Sequence, residues 1–210
     1  MNLHFSICYW AGDWQGVPRL YKEIRERFPL ATIAFVPDGI TPLNLMGVPR
    51  NKRLKPIDGG AWLERILRSC PQDCDLFFKV EPDITFQRTP IYWPDGDWFG
   101  HWSKPVGAVR PLLRGGFWGL NPVAVERILH SWLLQDELYL SDRFKYDRYG
   151  RFLLPGEEPG DPVYHCDSIM AAVCDRVGIE PTNWGEIYLN FREPSPQDAD
   201  RFAIVTKPSA

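Results

Sequence analysis

Apolar and polar positions alternate from Leu3 to Trp10, with Leu3, Phe5, Ile7 and Tyr9 on one face and His4, Ser6, Cys8 and Trp10 on the other. A period of two predicts a first strand. His4 lies at its N-terminal end, away from the glycine-bearing loop Ala11 to Gly16 that follows, and reads as structural. Pro18 suits the first turn of a helix, and Leu20, Ile24 and Phe28 then form an apolar stripe at helical spacing, closed by Pro29. Ala31 to Val36 predicts a second strand, ending in Pro37-Asp38-Gly39. Thr41 to Gly60 shows no clear period and reads as a surface loop, its Arg50, Lys52, Arg53 and Lys55 better explained by solvation than by a phosphate role. After Gly60, Trp62, Leu63, Ile66 and Leu67 mark a second helix that Pro71 stops. A third strand follows at Leu76-Phe77-Phe78 and runs into Glu81-Pro82-Asp83. Strand, helix, strand, helix, strand is the order of a mainly parallel α/β sheet.

The second half is less regular. Asp97 to Gly100 and Val106 to Arg110 read as short strands. Gly115, Gly116 and Gly119 lie between Leu113 and Pro122, which implies close backbone approach or unusual dihedrals. Asn121 can cap a helix that has Pro122 at its first position and Val125, Ile128 and Leu129 facing inward. Ser141 to Tyr164 is charged and rich in Tyr, Pro and Gly, with a hairpin signal at Asp147 to Gly150; it reads as a lid or binding loop. Ile169, Met170, Val173 and Val177 mark a helix that Asp167 caps and Gly178 closes. Ile187 to Phe191 and Phe202 to Val205 complete the set as strands.

The chemistry concentrates at Glu81-Pro82-Asp83. Pro82 cannot donate to a sheet ladder, so pairing should stop there and leave two carboxylates at the C-terminal end of a buried strand. Open α/β sheets bind ligands at that end. Paired acids there suit a hard divalent cation that also holds phosphate oxygens; they equally suit a solvated turn. Asp38 stands at the corresponding end of the second strand, where an acid can bind a ribose or base, or simply make a turn.

Composition narrows the classes. At 210 residues, 44% hydrophobic and 24% charged, the chain has the balance of one soluble globular domain spanning residues 1–210. A net charge of −3 without a Lys/Arg run argues against nucleic acid as a partner. Five cysteines lack the spacing of a disulfide framework, and the Cys70/Cys74 pair has no second Cys/His pair to complete a zinc site. No signal peptide is visible and no apolar stretch approaches the ~20 residues needed to span a bilayer, so the expected location is cytoplasmic, with reduced thiols.

Three segments together resemble nucleotide-sugar-dependent glycosyltransferases of the GT-A fold, of the fringe and β-1,3-galactosyltransferase type. Phe77-Phe78-Lys79-Val80-Glu81-Pro82-Asp83 is similar to that type's apolar strand, lysine and acidic DXD element. Gly115-Gly116-Phe117-Trp118-Gly119-Leu120 is similar to its glycine-rich acceptor-side segment. Cys166-Asp167, opening a helix that ends at Gly178-Ile179, is similar to its Glu-Asp pair. The resemblance runs from about Leu3 to Ile179. It implies a GT-A-like, Rossmann-like fold and an inverting transfer from a nucleotide-sugar donor, a UDP-sugar, to a hydroxyl of a glycan or other acceptor. It implies Mn²⁺ or Mg²⁺ on Asp83 and Glu81, donor contacts from Asp38, Lys79, Glu81 and Lys207, acceptor contacts from Gly115, Gly116 and Trp118, and Asp167 as catalytic base. Trp93, Trp98 and Trp118 can stack on ligands, although core packing uses the same rings. The departures are Glu81 at the first acidic position, Pro82 in the middle, Cys166 in place of an acid, and no His after His165, where Thr206-Lys207-Pro208 stands instead. Two rivals follow: a catalytically silent GT-A-like nucleotide- or glycan-binding module, and a nucleotidyltransferase, whose basic phosphate loop Ala11 to Gly16 does not provide.

Overall fold

A computed structural model describes residues 1–10, 12–37, 56–103, 112–143, 166–188 and 201–206. Its strands are β1 (Leu3–Tyr9), β2 (Thr32–Pro37), β3 (Leu76–Val80), β4 (Ile84–Phe86), β5 (Trp98–Ser103), β6 (Leu112–Leu120), β7 (Pro181–Asn183), β8 (Ile187–Tyr188) and β9 (Ile204–Thr206). Its helices are α1 (Val17–Arg27), α2 (Pro56–Arg68), α3 (Pro122–His130), α4 (Glu137–Arg143) and α5 (Cys166–Arg176), with a 3₁₀ turn at Trp14–Gly16.

Six strands form one mixed sheet in the order β2-β1-β3-β6-β5-β7. The β2-β1, β1-β3 and β5-β7 pairs are parallel, whereas β6 runs antiparallel to both β3 and β5. A second sheet, β4-β9-β8, takes up the chain after the acidic turn. The expected α/β class with a mainly parallel sheet flanked by helices is thus present, and β6 is the strand that reverses direction.

The period of two in β1 and β3 sorts their side chains into two cores. Leu3, Phe5, Ile7, Leu76, Phe78 and Val80 pack with Leu20, Ile24 and Phe28 of the α1 segment and with β4 and β9. Cys8 and Phe77 face the opposite core, built on α2, α3 and α5. Trp98 and Trp118 join the second core, and Phe99 and Phe117 join the first. The two cores, on opposite faces, hold the sheet in register, since a one-residue slip would exchange the two faces.

Several local readings need correction. Helix α2 begins at Pro56, before Gly60. Gly60 is a contact point inside it: a Cβ there would lie 2.2 Å from the Leu134 carbonyl oxygen. The glycine-rich segment is a nine-residue strand, β6, and the one described glycine with positive φ is Gly178, at +73° after α5. Close approach explains Gly119, where a Cβ would stand 2.2 Å from Phe99 Cε2. Asp167 lies inside the first turn of α5 and does not precede it as a cap. Asn121 does cap α3, its side chain accepting the Ala124 N–H at 2.7 Å. The short strands β4 and β7 were not anticipated. The expected strand Val106 to Arg110 and the hairpin at Asp147 to Gly150 lie outside the described residues.

Candidate functional site

Strand β3 stops pairing at its proline, as the missing N–H requires. The Glu81 N–H still donates to the Gly116 carbonyl at 2.9 Å, and the Ile84 N–H closes a turn onto the Glu81 carbonyl at 3.0 Å. The turn places Glu81 and Asp83 at the C-terminal end of a central strand, between the two sheets.

Helix α1 clamps this turn from one side. Gly16 sits so close that a Cβ there would lie 2.8 Å from Pro82 Cβ. Arg19 donates from Nη2 to the carbonyls of Pro82 at 2.5 Å and Ile84 at 2.9 Å. Its Nη1 reaches Glu23 Oε1 at 2.6 Å and Thr85 Oγ1 at 3.1 Å. Glu23 in turn accepts the Phe86 N–H at 3.0 Å through Oε2. Neither Arg19 nor Glu23 stands out in the sequence. Their spacing is that of an ordinary exposed helix pair, and nothing local shows that the partners are more than sixty residues away.

The electrostatics are concentrated beneath and beside the turn. Lys79 is fully buried, bonds to Glu81 Oε1 and lies 6.0 Å from the centre of the Trp62 ring. Burial disfavours its charge, but the Glu81 and Asp167 carboxylates outweigh burial and hold Lys79 above its ordinary range. Asp83 has the opposite balance. Burial and the Glu81 charge push its carboxyl up to about 6, with Lys79 and Arg19 opposing. Asp83 Oδ1 is buried and has no hydrogen-bond partner. Buried polar oxygens are nearly always satisfied, so this one, at the C-terminal end of a central strand, is a candidate contact for a group from outside the chain.

The structure therefore gathers Lys79, Glu81, Asp83 and Asp167 into one electrostatic cluster. It also sets Gly116 beside them, where an added Cβ would lie 3.7 Å from Asp83 Oδ1. Gly115 precedes Gly116 on the same strand. Two assignments change. Lys79 supports the site from below, since its fully buried ammonium faces Glu81 and Trp62. Trp118 is 1% exposed and packs in the core near Phe77, so its ring offers no stacking face. Trp98 is equally buried, and the partly buried Trp93 packs against Phe78 and Trp184. Asp38 and Lys207 lie outside the described residues. Thr206, the residue before Lys207, pairs with Ile84 beside the acidic turn.

The donor set fits a hard cation held jointly with a ligand. Glu81 keeps a side chain 30% exposed, and Asp83 has its orphaned oxygen. Two carboxylates completed by substrate phosphates are a common arrangement for Mg²⁺-type ions. Among the described residues no three His, Cys, Asp or Glu side chains converge to hold an ion by themselves. No helix among them is long and apolar enough to cross a membrane. Neither a protein-family model nor a curated protein matches the sequence.

Proposed function

We propose that the chain is an inverting glycosyltransferase with a GT-A-like domain, moving a sugar from a nucleotide-sugar donor, a UDP-sugar, to an acceptor hydroxyl. The observation that carries this reading is the orphaned Asp83 oxygen, placed with Glu81 at the C-terminal end of a central strand and sharing Lys79 with Asp167. The β2-β1-β3 parallel core followed by an antiparallel strand and a small second sheet supports it as architecture.

In this reading Asp83 and Glu81 are the residues that would hold Mn²⁺ or Mg²⁺, and the ion would neutralise the departing nucleoside diphosphate. Lys79 holds Glu81 in place from beneath. Arg19 fixes the backbone of the turn through the Pro82 and Ile84 carbonyls. Asp167, in the first turn of α5 where the helix field favours a carboxylate, takes the proton of the acceptor hydroxyl. The acceptor oxygen then attacks the anomeric carbon from the face opposite the diphosphate. The bond to the diphosphate breaks with its electron pair, and the configuration inverts. Gly115 and Gly116 are the acceptor contacts of this reading.

A second reading, a catalytically silent module that binds nucleotide or glycan, is favoured by one observation: Glu81 is already committed to Lys79. A donor screen by thermal shift with and without Mn²⁺, followed by a transfer assay with the best donor, separates the two. Ligands of the native state raise its apparent stability. Mn²⁺-dependent stabilisation by a nucleotide-sugar with transfer supports the enzyme, and stabilisation without transfer supports the module. No response to any nucleotide-sugar rejects both.

A further inference from the structure

We propose that Trp102 and Asn183 form the subsite that holds the acceptor, and that the acceptor is a pyranoside. The inference rests on the transferase reading above, which leaves the acceptor's chemical class open. Trp98 and Trp118 are enclosed by core at 1% exposure, whereas Trp102, also on β5 or its neighbour strand, is 48% exposed. The registers place it. Lys79, Trp118 and Gly100 lie side by side across β3, β6 and β5, and Trp102 lies opposite Leu113. Paired residues of an antiparallel ladder share a face, and Trp118 and Leu113 both belong to the second core. Trp102 therefore stands on the face that carries Lys79 and, through its bond, Glu81.

Strand directions bring Asp167 to the same end. β3 and β5 both run antiparallel to β6, so they are parallel to each other, and β7 is parallel to β5. Trp102 lies near the end of β5, as Glu81 lies just past the end of β3. Helix α5 packs on β6 and ends at Arg176, and β7 starts at Pro181. A connection that short sends the helix back antiparallel to the strand that follows it. The first turn of α5, with Asp167, thus lies where β3, β5 and β7 finish. β5 is two strands from β3, roughly 10 Å away, and β6 crosses that gap with Gly115 and Gly116. The register of β5 against β6 shifts between Gly100 and Trp102, a device that re-aims side chains beside sites.

Asn183 adds the polar half. It is exposed, pairs with Gly100 and accepts the Trp102 N–H at 3.0 Å through Oδ1. A backbone N–H can only donate, so this bond fixes the orientation of the amide. Nδ2 is left with no hydrogen-bond partner among the described residues. An exposed indole beside open amide donors suits a pyranose ring. Axial C–H bonds make one face of that ring apolar, and this face stacks on the indole while rim hydroxyls meet the amide. A serine or threonine side chain offers no such face. A ring held there directs a hydroxyl across Gly116 toward Asp167.

The test uses the full chain with the methyl β-glycosides of glucose, galactose and N-acetylglucosamine. Each is read by saturation-transfer NMR and as an acceptor for the donor that the thermal-shift screen selects. Saturation should reach the axial C–H protons of at least one probe. Trp102→Ala should abolish that signal and raise the acceptor KM about tenfold, with the donor-induced thermal shift retained, and Trp102→Phe should recover part of the loss. Asn183→Asp keeps an oxygen for the Trp102 N–H and removes the amide donors, so the acceptor KM should rise by a smaller factor. No saturation of any probe, equal binding and use of a probe by Trp102→Ala, or transfer to a serine peptide and to no sugar would overturn the subsite and leave the transferase reading standing. No Mn²⁺-dependent donor response in the unaltered chain would overturn the transferase reading and the acceptor role with it, even where the sugar signal depends on Trp102.

Discussion

The two ends of the same central strands carry buried polar clusters of opposite character. At the N-terminal end, His4 hydrogen-bonds Thr32 at 2.7 Å and Ser6 at 3.2 Å, Ser6 bonds Ser69, and the His4 ring stacks on Phe77. Burial holds His4 neutral, lowering it from 6.5 to about 4. Every described contact there closes within the chain. At the C-terminal end, Lys79, Glu81, Asp83 and Asp167 form a cluster in which one buried oxygen is left over and one carboxyl is raised to about 6. A satisfied network rigidifies a core, whereas a buried polar atom without a partner costs free energy. The contrast is consistent with a structural role for His4 and, in the proposed reading, with ligand binding at the acidic turn.

The strongest test of that contrast is Asp83→Ala. Mn²⁺-dependent stabilisation by a nucleotide-sugar and transfer should both vanish while the circular dichroism stays native. Donor affinity untouched by the substitution and by chelator would remove Asp83 from the site. Asp167→Asn comes next. It keeps the side chain's shape and removes its basicity, so transfer should fall roughly 10²–10⁴-fold with donor binding little changed. Full activity in that variant would leave Asp167 as a helix-terminal residue only.

Stability against pH tests both ends at once. The native state takes up a proton on Asp83 between the ordinary 3.8 and about 6, a window in which the unfolded chain no longer does. Asp83 therefore makes the protein less stable as pH rises through that window, by an amount on the order of 2–3 kcal/mol. Asp83→Asn should abolish this loss, seen as a higher urea midpoint at neutral pH and little change in acid. His4 has the opposite sign. It is neutral in the native state, so its contribution is complete above 6.5 and is lost as pH falls toward about 4. His4→Gln should flatten the acid side of the profile and leave Mn²⁺-dependent donor binding intact. Loss of donor binding in His4→Gln would erase the distinction between the two ends.

The smallest expected effect belongs to the clamp. Arg19→Met keeps much of the apolar stem and removes the bonds to Pro82, Ile84, Thr85 and Glu23. Because Arg19 is partly exposed, the stability cost should be about 1–2 kcal/mol, measured by urea unfolding, with a weakened donor response. An unchanged response would show that the turn holds its own shape.

Much of the frame was legible locally. Alternation at Leu3 to Tyr9, the stripe Leu20, Ile24 and Phe28, and the apolar run before Pro82 need only neighbouring residues to be read, because strand and helix periods act over a few positions. The Asn121 cap and the end of pairing at Pro82 are local for the same reason. Tertiary structure decided the rest. Trp118 resembles a ligand-stacking ring until the second core encloses it, and Lys79 resembles a donor contact until Trp62 and Glu81 surround it. Whether Asp83 is solvated or buried with an orphaned oxygen depends on Gly16, Arg19 and β6, which approach from distant parts of the chain. Backbone period is set by bonds between neighbours; burial and charge are set by what the whole chain packs around a residue, and a linear pattern carries no record of that.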